Sequence, residues 1–247
     1  PLMPMLGGCF IGLICKYFPN AVTENGVHKV MYAVALNDGK VRKRTITSCA
    51  VTSSVTIGSG GSAGREGPTV QIGAAVGSAI GQLLHLSTER MRVLVGCGAA
   101  AGIAASFNAP LAGVLFALEI ILGDFTIHTF SPIIIASVIG TVTGRALEGN
   151  QVTFNVPVHE LVHPTEIIFY LALGILCGIV ARLFTFAYFY IQQIFEEKIS
   201  TPDYLKPALG GLIVGIISIF IPQILGNGYE VMEQSLAGQM FWSLAFL

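Results

Sequence analysis

The sequence predicts an all-α integral membrane protein, a bundle of tilted and broken helices in one transmembrane domain over residues 1–247. Three observations carry this. Of the 247 residues, 53% are hydrophobic and only 11% charged, against roughly 25% charged in soluble domains. Apolar segments follow one another with little between them, and several fall short of the ~20 residues a simple spanning helix needs. The 29 glycines lie largely inside those apolar runs, where a bilayer turns them into points of close backbone approach. A net charge of −1 gives no case for nucleic-acid binding.

Each element has its own mark. Leu2–Phe18 opens the chain as an apolar run, and Val27–Leu36 is shorter than a span. Thr45–Ile57 is rich in Thr and Ser, a pattern that points to helix-to-helix hydrogen bonding more than to a pore lining. Gly67–Leu86 begins at Glu66-Gly67-Pro68, because proline suits the first helical turn and its missing N–H is no loss there. Small residues four apart mark one face of it (Gly73, Gly77, Gly81) and of Met91–Ser106 (Gly98, Gly102). Asn108-Ala-Pro110 breaks the chain before Leu111–Leu122. Phe130–Leu147 carries Gly140 and Gly144. Thr165–Phe195 carries Gly174 and Gly178, and is long enough to cross with marked tilt. Pro207–Leu225 carries Gly211 and Gly215, and a last helix starts at Met240. The first residue is Pro1, and the final apolar run is cut at Leu247, which predicts a piece of a longer protein.

The linkers set an orientation. Basic residues cluster at 40–44, at Arg90 and Arg92, and at Lys198 with Lys206, whereas Glu148–His163 contains no Lys or Arg. The positive-inside rule places the first three in the cytoplasm and 148–163 outside. The long helix Thr165–Phe195 separates the last two regions, so the assignment is self-consistent.

One constellation stands out for chemistry. Arg65 and Glu66 sit between two apolar, small-residue segments, beneath the glycine-rich stretch Gly58–Gly64. A helix starting at Glu66 points its unpaired N–H groups and positive dipole end back into that stretch. At membrane depth this is an anion receptor, with a carboxylate competing for the same donors. Such a carboxylate costs about 3 kcal/mol on insertion scales and is a functional candidate by default. The bland alternative is a dipole-held acid with Arg65 as its counter-ion. Glu119, near Asp124 and His128, reads as structural rather than as a proton carrier. Gly60-Gly-Ser62-Ala-Gly64 matches the serine-hydrolase elbow, which needs a strand before the serine; an apolar helix precedes it, so a chance match is expected. Five singly placed cysteines and the absence of HExxH, P-loop or CxxC patterns leave no expected enzyme, metal or cofactor chemistry.

Together these residues resemble the CLC family of chloride channels and chloride/proton antiporters. Gly64-Arg-Glu-Gly-Pro68 looks like its G-[KR]-E-G-P motif, followed by Thr-Val-Gln-Ile-Gly73. Gly98–Gly102 through Phe107-Asn-Ala-Pro-Leu-Ala-Gly113 and on to Glu119 resembles the next stretch, and Gly226-Asn-Gly-Tyr229 the glycine-rich turn after the long tilted helix. The resemblance implies a homodimer in the lipid bilayer, each subunit carrying a pathway for chloride or a related anion between two inverted halves, the second incomplete in this chain. It places Glu66 at the external gating glutamate, which occupies an anion site when closed and swings away on protonation. Arg65 and Gly67 fall where backbone N–H groups face the outer anion.

Three departures qualify it. The family's G-S-G-x-P motif falls at Glu24-Asn-Gly-Val-His28, where Asn25 replaces the serine that touches the central anion, so that Asn25 and Gly26 are the further anion-binding candidates. The inner proton glutamate is replaced by Ile120, which cannot pass a proton. The second-half ligands lie beyond Leu247. The expectation is therefore a passive channel or uncoupled transporter, with a proton-coupled antiporter as the alternative.

Overall fold

The computed structural model describes residues 2–17, 26–150, 154, 165–198 and 201–238. Those residues form ten α-helices and no strand: α1 (Leu2–Tyr17), α2 (Val27–Leu36), α3 (Arg44–Gly58), α4 (Glu66–Leu83), α5 (Thr88–Phe107), α6 (Pro110–Phe116), α7 (Ile127–Glu148), α8 (Glu166–Gln193), α9 (Lys206–Phe220) and α10 (Tyr229–Leu236). A π-helical turn, Ala117–Leu122, continues α6, and another, Ile194–Lys198, continues α8. The segment read as one helix over Leu111–Leu122 thus changes pitch halfway. Three helical stretches, Thr88–Phe107, Ile127–Glu148 and Glu166–Lys198, are long and apolar enough to cross a membrane. The helix start at Met240 lies outside the described residues, as does nearly all of 148–163 beyond Asn150.

Small residues decide the packing. α4 and α5 run antiparallel with Gly73 and Gly98 back to back: a Cβ on either would collide with the other's carbonyl oxygen. Gly77 meets the Leu94 carbonyl and Gly102 that of Thr69. Gly140 and Gly144 seat α7 on Ala101 and Ala105 of α5, while Gly8 and Gly211 bring α1 against α9. The core around this crossing joins Val30 and Val34 of α2 with Val70, Ala74, Val95, Ala99 and Ile121. Gly174 and Gly178 differ, because a Cβ there meets nothing within 4 Å and α8 has no buried residue.

The hydroxyls of α3 overturn one expectation. Thr47 and Ser48 donate to the Arg44 carbonyl, Thr52 to Ser48 and Thr56 to Thr52. They bond back along their own helix because the carbonyl one turn earlier lies closest to hand. Bonds from one helix to another come instead from α7, where Ser137 Oγ donates to the Pro110 carbonyl at 2.6 Å and Thr141 Oγ1 to that of Ala104 at 3.4 Å. On α4, Ser78 Oγ and Gln82 Nε2 donate to the Gly39 and Val41 carbonyls of the linker between α2 and α3 at 2.7 and 2.9 Å.

These contacts gather the basic linkers at one end of the bundle. Arg92 donates to the Ala35 carbonyl at 3.4 Å, Gln82 holds the 40–44 linker, and Lys16 lies 5.0 Å from the Tyr204 ring, beside Lys206. Arg145, Glu148 and the Asn108 break lie at the opposite end, where Arg145 Nε donates to Asn108 Oδ1 at 2.6 Å.

Candidate functional site

The approach to Glu66 is built by a reversal after α3. Gly60 takes φ 87°, Gly61 N–H closes on the Thr56 carbonyl at 2.8 Å, and Ala63 N–H donates to the Gly226 carbonyl at 3.3 Å. Arg65 then caps α4 and Glu66 opens it. Thr69 donates to the Arg65 carbonyl twice, through its N–H at 3.1 Å and its hydroxyl at 2.7 Å. Pro68 has no N–H, so the amides at the end of this helix are those of residues 65–67, aimed with the dipole into the approach. At Gly67 a Cβ would meet nothing within 4 Å, so packing does not demand glycine there; the space beside these amides is open.

The Glu66 carboxylate does not sit on those amides. It folds back over Gly64, where a Cβ would collide with it, and Oε1 accepts a 2.6 Å hydrogen bond from the Tyr229 hydroxyl. Arg65 points elsewhere. Its guanidinium lies 5.1 Å from the Phe107 ring and 5.1 Å from the Tyr229 ring, and Nη2 donates to the Ser106 carbonyl at 3.1 Å. The arginine side chain thus clasps the start of α4 to the end of α5 and the start of α10. Only its backbone faces the approach. Tyr229 is the site residue that sequence reasoning left without a role; its one signal is an aromatic directly after Gly226-Asn-Gly228.

Of the inner pair, Asn25 lies outside the described residues. Gly26, at φ 123°, starts α2 and donates its N–H to Gln71 Oε1 at 2.8 Å, so in this structure that amide has a protein acceptor. Gln71 is 2% exposed and also lies 3.5 Å from Cys49 Sγ. Five residues separate Gln71 from Glu66, about 7.5 Å of helix axis. Two helix starts therefore converge at different depths. A cavity of about 230 Å³ opens from Lys29, Lys40 and Arg42 toward Gln71, and another of about 230 Å³ adjoins Ser62, Gly64 and Asn227 on the side of Glu66.

Glu119 and Ile120 occupy the π-helical turn and are exposed, while Leu118 and Ile121 beside them are buried. They lie toward the basic end, since Leu122 packs at Gly96 of α5. Ser62 sits on a loop, with α3 where a hydrolase elbow needs a strand. Among the described residues no His/Cys/Asp/Glu group has metal-site geometry.

Gly67→Ala is expected to keep the fold, because the new methyl enters free space; an unchanged melting temperature is the expected measurement.

A family model described as voltage gated chloride channel matches residues 7–247. The chain is 36% identical over 250 residues to a putative chloride channel protein ClcB-like of Ralstonia nicotianae, covering 100% of this chain and 58% of that protein. It is 38% identical over 195 residues to chloride channel protein CLC-f of Arabidopsis thaliana, covering 76% of this chain and 25% of that one. Its fold matches a slow cyanobacterial Cl⁻/H⁺ antiporter with TM-score 0.84 at 25% identity, over 99% of this chain and 58% of that one. A CLC-type fluoride/proton antiporter follows with TM-score 0.82 at 25% identity, over 98% and 61%. The chain thus spans little more than half the length of the ClcB-like relative and of both solved structures. It is a multi-pass membrane protein, and the motifs around Glu66, the broken helices and these likenesses together place it in the voltage gated chloride channel family.

Proposed function

We propose that this chain supplies the first part of a pathway carrying chloride-type anions across the membrane, with Glu66 as its gate. The observation that carries the reading is the Glu66 carboxylate poised beside, but not on, the open amides at the start of α4. Neutral N–H dipoles hold a halide without trapping it as a fixed ammonium would, and conduction needs weak, multiple sites. Amides of Arg65 and Gly67 form the outer seat. Asn25 and Gly26 form the inner one once the Gln71 oxygen yields the Gly26 amide. The basic cavity at Lys29, Lys40 and Arg42 gathers anions at the cytoplasmic mouth, with 148–163 outside. The working unit is a homodimer in lipid, a reading taken from the family resemblance.

Transport in this reading is passive, because Ile120 has no proton to pass. Both solved neighbours are antiporters, which makes proton coupling the second reading. Anion-selective efflux from proteoliposomes of the full-length protein tests both. Efflux of chloride with no uphill movement under an imposed pH gradient is expected; a repeatable proton-to-chloride ratio would overturn the passive reading, and no efflux at all would overturn transport.

A further inference from the structure

Tyr229 touches the gating carboxylate yet belongs to no anion seat. We propose that it is a latch: its hydroxyl holds the ionised Glu66 carboxylate aside from the α4 amides and so keeps the outer seat free for an anion. This rests on the reading of Glu66 as the gate.

The hydroxyl is placed independently of the carboxylate. Gly226 and Gly228, at φ 74° and 71°, adopt a left-handed backbone that side chains disfavour, and so turn the chain back at α10. The Ala63–Gly226 hydrogen bond ties that turn to the approach loop. The Tyr229 ring is then wedged edge-on against Phe154 at 5.2 Å and Phe107 at 6.4 Å, with the Arg65 guanidinium over it. Three contacts thus set the ring, and the carboxylate comes to it. At 2.6 Å the bond has the length of an O–H donor on an ionised oxygen, a bond about twice as strong as its neutral counterpart.

Among the described residues, the charged or titratable groups facing this pair are few. Arg65 is held by Ser106 and two rings. Arg145, at the end of α7, is committed to Asn108, and Glu230, next on α10, is exposed. The ends of α3 and α5 bring only neutral side chains. The latch is therefore the carboxylate and the hydroxyl, with the Arg65 guanidinium against the same tyrosine. With Glu66 ionised it keeps the acid off the amides, and with Glu66 protonated the bond weakens and the side chain is no longer a rival anion.

Tyr229→Phe removes the hydroxyl and leaves the ring, so the fold and the Arg65 contact persist. In proteoliposomes of the full-length protein loaded with chloride, we expect flux at neutral pH to fall by about tenfold or more, in line with one charge-assisted hydrogen bond. Flux recovers to the wild-type level in acid, so the acid-to-neutral ratio rises by the same factor. On a Glu66→Gln background the same substitution changes nothing. A uniform loss at every pH marks a structural role and overturns the latch, as does an unaltered ratio while Glu66→Gln abolishes acid sensitivity. If Glu66→Gln itself keeps the wild-type acid response, the gate reading fails first and the latch falls with it.

Discussion

Glu66→Gln gives anion flux that no longer responds to external acidification, and Glu66→Ala does the same. In the proposed gate the substitution removes the charge that competes with the anion for the start of α4, while the helix start, the Gly64 approach and the Arg65 clasp remain. Packing is not at issue, because the Glu66 side chain is exposed and its contacts with Gly64 and Tyr229 are made by the carboxylate. Whenever the ionised carboxylate leaves the Tyr229 hydroxyl it competes with a dilute anion for those amides, because both seek the same partial positive charge. Wild-type flux therefore rises on acidification, whereas the neutral variants are already at the high level. Liposome efflux against external pH checks it. A variant that keeps the wild-type profile would remove Glu66 from the gate.

Gly98→Val abolishes the folded bundle. The valine side chain would enter the Gly73 carbonyl, closer than any van der Waals contact, and α5 cannot retreat because α7 packs on its other side at Ala101 and Ala105. Overpacking of side chains costs about 1–3 kcal/mol; here the obstacle is backbone, which has no rotamer to change, so the loss lies at or beyond the upper end. Loss of a monodisperse peak in detergent and of all flux is the expected outcome. Gly174→Ala is the control: its Cβ meets nothing within 4 Å, so melting and flux stay at wild-type values. Equal stability of the two variants would show that α4 and α5 are not held at this crossing.

The contrast between those glycines marks what sequence spacing tells and where it stops. Residues four apart in Gly73, Gly77 and Gly98, Gly102 announced a tight crossing, but the same spacing in Gly174 and Gly178 makes no contact among the described residues. Spacing identifies a small-residue face and says nothing of what lies opposite. The hydroxyls of α3 teach the same lesson. Their composition suggested bonds between helices, and the nearer carbonyls of their own helix took them instead. α10 escaped notice because Tyr229–Leu236, with Glu230 and Glu233, is not an apolar run, and apolar runs were the signal for every other helix.

Local chemistry alone established the membrane setting, the breaks at Pro68 and Asn108–Pro110, the helix start at Glu66 and the apolar side chain at Ile120. Each depends on neighbours a few residues away: hydropathy summed over a window, a missing N–H, a dipole end. The direction in which the Glu66 carboxylate leans, the turning of the Arg65 guanidinium away from the anion approach, and the engagement of Gly26 with Gln71 came from the fold. Their partners stand 163, 41 and 45 residues off in the chain. Contacts of that separation exist only after α2, α4, α5 and α10 have packed, and no pattern along the chain encodes where two distant helix ends will meet.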